Sequence, residues 1–124
     1  MQRTAGLTDQ IPPPAGPYSS SVRIGGIAVS AGHGGRSSDG VLADGVAAQT
    51  RQTLDNVLAS LAAVGASAAN VAQVRVYLTD VAHFAEMNQA YRDYFEEPFP
   101  ARTTVYVSLP AGMLVEIDAL AVLA

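Results

Sequence analysis

The 124-residue chain contains no cysteine, and its seven basic residues other than histidine are all arginines (Arg3, Arg23, Arg36, Arg51, Arg75, Arg92 and Arg102), so lysine is absent as well. Without these two residue types there is no thiolate nucleophile, no disulfide framework, no Cys-ligated zinc, no Schiff-base lysine and no phosphate-loop lysine. Only His33 and His83 remain as imidazoles, too few for a histidine-rich metal centre within one chain. The balance of seven arginines against eleven acids gives a net charge of −4. A nucleic-acid partner, which calls for a basic stripe, is therefore disfavoured. No apolar run approaches the ~18 residues of a membrane span, and Met1 to Gln10 lacks a secretory leader pattern, so the cytoplasm is the simplest compartment.

The composition that remains is that of a packed globular chain: 49% hydrophobic and 15% charged residues, with a length that fits one domain over 1–124. Residues 1–15, running into Ile11-Pro12-Pro13-Pro14-Ala15, are expected to form an N-terminal arm, being too rich in Pro and Gly for a helix or a central strand. Ser21–Ile24 and Ile27–Ala31, joined by Gly25-Gly26, read as a hairpin. Gly32 to Gly40 reads as a loop. Asp44 is positioned as an N-cap before the helical recurrence Val46, Thr50, Thr53, Leu54, Val57, Leu58, Leu61 and Val64, which Gly65 stops.

Val71–Thr79 alternates as a strand with Val74, Val76 and Leu78 on its apolar side. Asp80 caps a second helix with the stripe Phe84, Met87, Asn88, Tyr91, Tyr94 and Phe95, ended by Pro98 and Pro100. The remainder reads as a β-hairpin turning at Leu109-Pro110-Ala111-Gly112. The order is ββ-α-β-α-ββ, an α+β fold with a mixed sheet and two helices packed on one face. On this reading the other face carries Arg75, Tyr77, Thr79, Arg102, Thr104, Tyr106, Glu116 and Asp118 beside Leu120 and Val122. That mixture suits contact with further copies of the chain.

Few side chains offer chemistry. Arg102 enters a strand from a Pro-rich loop, and its planar fork matches a carboxylate; the alternative is an interface ion pair with Glu116 or Asp118. Glu116, in the apolar run Leu114-Val115-Glu116-Ile117, is either a paired structural acid or a carboxyl whose desolvation suits it to handling protons. Tyr18 follows a turn and either donates to a ligand or packs at an edge. Gly32-His33-Gly34-Gly35 either presents N–H groups to an anion or is a plain loop, and His33 is either a general base or solvated. Asn88 lies on the stripe of the second helix and either bonds nearby backbone or lines a cleft. His83 reads as a surface residue. Ser19-Ser20-Ser21 lacks a His–acid partner for hydrolase chemistry.

These pieces together resemble the RidA/YjgF family of reactive-intermediate deaminases. The resemblance is carried by Gly16-Pro17-Tyr18-Ser19, Ser30-Ala31-Gly32, Gln49 to Val57, Val76-Tyr77-Leu78-Thr79-Asp80, Met87-Asn88, Pro100-Ala101-Arg102-Thr103-Thr104-Val105 and Val115 to Val122. It implies a chorismate-mutase-type, RidA-like fold assembled as a homotrimer with clefts between subunits. It also implies hydrolysis of 2-enamine and 2-imine intermediates, of the 2-aminoacrylate, 2-iminobutanoate and 2-iminopropanoate type, to 2-keto acids and ammonia without a cofactor. By the same resemblance Arg102 grips the substrate carboxylate, Glu116 orients or activates water, and Tyr18, Gly32, Asn88 and Thr104 line the cleft. His33 stands where many members have glutamine, Arg36 adds a cation near the cleft mouth, and Tyr106 is bulky; these three bear on specificity. A trimeric module that binds small carboxylates without turnover, or a pathway-specific enzyme for a larger substrate, is the alternative implication.

Overall fold

The computed structural model describes residues 1–124. Strands β1 (Thr4–Ala5), β2 (Ser21–Ile24) and β3 (Ile27–Ser30) precede helix α1 (Val46–Ala62). Strand β4 (Val71–Leu78), helix α2 (Phe84–Tyr91), β5 (Ala101–Tyr106) and β6 (Val115–Val122) follow. The six strands form one mixed sheet in the order β1-β2-β3-β6-β4-β5. The expected α+β order is present, with β1 as an addition: Thr4 and Ala5 of the arm pair with Arg23 and Val22 at the sheet edge. An edge tolerates so short a strand because only one of its sides must be paired.

Helix α1 forms where the apolar recurrence is strongest, and Leu54, Val57 and Leu61 on it are fully buried. Asp44 does not cap it. The N-cap is Gly45, whose φ of 83° is a conformation that glycine adopts without strain. Gly65, at φ 91°, closes the other end, and the N–H of Ala66 reaches back to the carbonyl of Leu61. The Asp80 carboxylate does cap, accepting from the N–H of Ala82 at 2.9 Å over the short 3-10 turn Val81–His83 that leads into α2. That helix stops at Tyr91. Tyr94 ends a 3-10 turn and Phe95 is extended, so the last two residues of the expected stripe lie beyond the helix.

The C-terminal hairpin does not form. β5 pairs in parallel with β4 (Val74 opposite Arg102, Val76 opposite Thr104), and β6 pairs antiparallel with the other side of β4 (Val76 opposite Ile117, Tyr77 opposite Glu116). The unit β4–α2–β5 is a crossover, and a crossover through a helix delivers a parallel neighbour. A register shift at Ala72 returns Val71 to the side of Val74, so both are buried.

The core lies between α1, α2 and one sheet face. Val74, Val76, Leu78, Val115 and Ile117 from the sheet meet Leu54, Leu61 and Met87 from the helices. Each such side chain contributes roughly 1.5–3 kcal/mol by leaving water. The open face carries Ile24, Ile27 and Val122 in one row, 41%, 47% and 49% exposed. No helix is long and apolar enough to cross a membrane.

Two buried amides on α1 tie the loops to this frame. Gln49 donates to the carbonyls of Ala43 and Gly112 at 3.1 and 3.0 Å and accepts from the N–H of Leu114 at 2.8 Å. Gln49→Ala orphans three backbone groups at once. It is expected to lower unfolding free energy by about 2–4 kcal/mol in urea titration, whereas exposed Arg51→Ala stays within ~0.5 kcal/mol.

Candidate functional site

The pleat of β4 separates the two leading candidates. Val74 faces the core, so Arg102 opposite it projects to the helix side, as do Thr104 and Tyr106. This corrects the expectation that these three share the open face with Glu116; Thr103 and Val105 occupy that face instead. Glu116, level with Tyr77 on β4, projects from the open face, together with Asp118 level with Arg75. Within one chain, Arg102 and Glu116 therefore stand on opposite sides of the sheet and line different concavities.

On the helix side, Arg102 borders a cavity of about 370 Å³ with Asn88, Tyr91, Arg92, Phe99 and Pro100. Its Nη2 donates to Asn88 Oδ1 at 2.6 Å. Its guanidinium carbon lies 4.7 Å from the centre of the Tyr91 ring and 5.8 Å from that of Phe84. Stacking on an aromatic face and a short bond to an amide fix the plane of the fork while leaving other N–H groups free for a planar anion. Within one chain no acid pairs with Arg102, and Asp118 is taken by Arg75. Asn88, read from sequence as bonding nearby backbone or lining a cleft, instead orients the arginine and borders its cavity. Thr104 is half-buried, and Tyr106 is exposed at the end of β5.

On the other side, a cavity of about 290 Å³ is bordered by Tyr18, Gly32, His33, Arg36, Asn56 and Glu116, among others. Gly32 lies against the acid: a Cβ there would sit 2.7 Å from Glu116 Oε2 and would displace the carboxyl from its present position. Burial raises the Glu116 carboxyl above its ordinary pKa, and the neighbouring Asp118 raises it further. Asp118 itself is held by Arg75 Nε at 2.8 Å and by the Tyr77 hydroxyl at 2.9 Å. Its side chain is thus anchored two residues from Glu116 on the same face.

His33 is not a loose loop residue. Its N–H and carbonyl both pair with Ile117, extending the sheet by one bridge. That pairing occupies the N–H that an anion-binding nest would need. The His33 Nε2 lies 3.2 Å from the Ser20 carbonyl, which can only accept, so the ring carries its proton on Nε2. Burial lowers its pKa, against a smaller opposing effect of that bond, and the ring is neutral at pH 7. The Tyr18 hydroxyl accepts from the N–H of Ala15 at 3.1 Å, which leaves its own proton for another partner. Ser21 is buried and donates to the carbonyl of Ser60, a structural role. His83 is half-buried at the turn before α2 and borders neither cavity.

Two contributors escaped the sequence reading. Asn56 is 2% exposed and its amide donates to the carbonyls of Gly34 at 2.9 Å and Arg36 at 2.7 Å, pinning the loop that rims the Glu116 cavity. Gln49 does the same for the segments on either side. Their signal was present: two amides seven residues apart, flanking the apolar stripe of α1 on the same helix side. Tyr91 was placed only as a core residue, yet it forms the platform under Arg102.

Comparison with known proteins matches residues 8–123 to the family model described as Endoribonuclease L-PSP. The 2-iminobutanoate/2-iminopropanoate deaminase of Salmonella typhimurium is 35% identical over 120 residues, 93% of this chain and 94% of that protein. RidA from an Antarctic Psychrobacter is 34% identical in its crystal structure, with a TM-score of 0.92 over 97% of this chain and 99% of that one. TdcF of E. coli, crystallised with bound serine, is 31% identical with a TM-score of 0.92 over 98% and 99% of the two chains.

The electrostatics of the Glu116 cavity predict a measurable titration. A carboxyl whose folded pKa is raised destabilises the fold once ionised, and that penalty is relieved as pH falls through the raised pKa. The side-chain 13C shift of Glu116 is expected to titrate with a midpoint above 4.5. Asp118→Asn is expected to move that midpoint down; an unchanged midpoint would remove Asp118 from the account.

Proposed function

This chain belongs to the RidA/YjgF/L-PSP family, and from that premise we propose that it hydrolyses 2-enamine and 2-imine acids to 2-keto acids and ammonia in a site completed between subunits. One observation carries the proposal. Arg102, the candidate fork for the α-carboxylate, and Glu116, the candidate proton-handling acid, lie on opposite faces of one sheet. A second copy that brings its Glu116 face against the Arg102 cavity joins the two halves. The exposed row Ile24, Ile27 and Val122 on the open face supplies apolar area for such contact. A closed ring of three chains with identical heterologous contacts satisfies every half-site.

The chemistry asks little of the protein. The imine carbon of R–C(=NH)–COO⁻ is already electrophilic, and an enamine reaches it by taking a proton at carbon. Arg102 binds the carboxylate through its fork, with the plane set by Asn88 and Tyr91. Glu116, with its pKa raised by burial, takes a proton from a water as its oxygen adds to that carbon. Glu116 returns that proton to the imine nitrogen as the carbinolamine forms, the carbinol hydroxyl proton then passes to the same nitrogen, the C–N bond breaks to release ammonia, and the C=O of the 2-keto acid is left. Positioning supplies much of the rate gain because the reacting atoms are few.

The relative of known name is a deaminase, while TdcF holds serine, so a module that binds carboxylates without turnover is the second reading. Calorimetry with 2-ketobutyrate separates the two: binding without imine hydrolysis favours the module. RNA cleavage, which the family description carries, fits poorly with a net charge of −4.

The test is a coupled assay in which a PLP-dependent dehydratase releases 2-aminoacrylate and keto-acid formation is followed. The wild type is expected to accelerate release. Arg102→Ala is expected to lose roughly a hundredfold in kcat/KM, and Arg102→Lys roughly tenfold because an ammonium has no fork. Full activity in Arg102→Ala discards the proposal.

A further inference from the structure

The rim of the Glu116 cavity holds a cation that no acid of the chain neutralises. Arg75 is paired with Asp118, Arg23 bonds the carbonyls of Gly25 and Val64, and Arg102 rests on Asn88 and Tyr91. Arg36 makes one bond, from Nη1 to the carbonyl of Gly40 at 2.8 Å, and its other guanidinium donors meet no protein partner.

This arginine does not ride on a loose loop. Its carbonyl is gripped at 2.7 Å by Asn56, which is almost completely buried, and its backbone bridges to Leu42 across the loop. Gly35 beside it lies so close to α1 that a Cβ would be 2.9 Å from Gln49 Cα. The exposed Arg36 guanidinium, rooted in so fixed a backbone, stands at the edge of a cavity whose only acid is Glu116. His33 adds no charge to this cavity, since its ring is neutral.

We propose that Arg36 makes the site selective for 2-imino acids whose side chain carries a second carboxylate. The proposal rests on the hydrolase reading for its geometry. With the α-carboxylate at Arg102 of one subunit and the imine carbon beside Glu116 of the next, the side chain runs along the cavity and its far carboxylate meets Arg36. Water adds to the C=N carbon, ammonia leaves, and a 2-oxo dicarboxylate is the product; no other reactant enters. Reactions that oxidise acidic amino acids to their imines are the class that supplies such substrates.

Two readouts test it. Imines are generated in situ by amino-acid oxidases from L-glutamate and from L-alanine, and keto-acid release is followed. The wild type is expected to favour the dicarboxylic imine in kcat/KM, and Arg36→Gln to lower that ratio by about tenfold, the worth of one charge-assisted contact. Arg36→Glu is expected to invert the preference, with circular dichroism confirming that each variant is folded. Separately, calorimetry is expected to show 2-oxoglutarate bound about tenfold more tightly than 2-ketobutyrate, with the difference lost in Arg36→Gln. A ratio unmoved by Arg36→Gln, or 2-oxoglutarate bound no more tightly than 2-ketobutyrate by the wild type, overturns the proposal. If neither imine is hydrolysed faster but the Arg36-dependent binding preference is present, the hydrolase reading fails and the Arg36 assignment stands.

Discussion

Strand β4 lies between β5 and β6, and its pleat decides on which side of the sheet each candidate residue stands. Because side chains alternate strictly along a strand, the pairing of Val74 with Arg102 and of Tyr77 with Glu116 sends the arginine and the acid to opposite faces. A slip of one residue in either pairing would bring both to one face, and a slip of β6 would turn Glu116 and Asp118 into the core. The register is held against that slip by Val74, Val76, Leu78, Val115 and Ile117, all essentially inaccessible to water. Hydrophobic packing on one face thus fixes the polar chemistry on both.

Each half-site is then prepared by neighbours that touch no proposed substrate. Asn88 and Tyr91 set the plane of Arg102. Asp118, itself held by the Arg75 guanidinium and the Tyr77 hydroxyl, joins burial in raising Glu116. Asn56 and Gln49 pin the loops around the Glu116 cavity to α1. The absence of lysine leaves arginine as the permanent cation for carboxylates, and the absence of cysteine and lysine removes thiolate and Schiff-base chemistry. That restriction agrees with hydrolysis of an already electrophilic imine.

Much of the fold was legible where local signals and packing agree: α1 with its Gly65 stop, Asp80 as a cap, and the apolar side of β4. The misreadings have physical causes. The turn-like Leu109-Pro110-Ala111-Gly112 suggested a hairpin, although a helix between β4 and β5 already called for a parallel pair. On β5 the more polar residues, Arg102 and Thr104, were assigned to the open face, but the helix side of this edge strand is a cavity wall, not core. Asp44 has the right chemistry for a cap, one residue too early, and the chain turns at Gly45 instead. The candidate residues were visible as types in suggestive places. Their grouping into two half-sites was not, because it depends on strand order.

The central claim is that one functional site draws Arg102 and Glu116 from different copies of the chain. Subunit mixing tests it directly. Arg102→Ala and Glu116→Gln chains, each inactive alone, are unfolded together in equal amounts and refolded. In a ring of three with random composition, each mixed ring rebuilds one intact site, so about a quarter of wild-type imine hydrolysis is expected to return. Recovery of no activity from well-folded mixed rings would contradict the account.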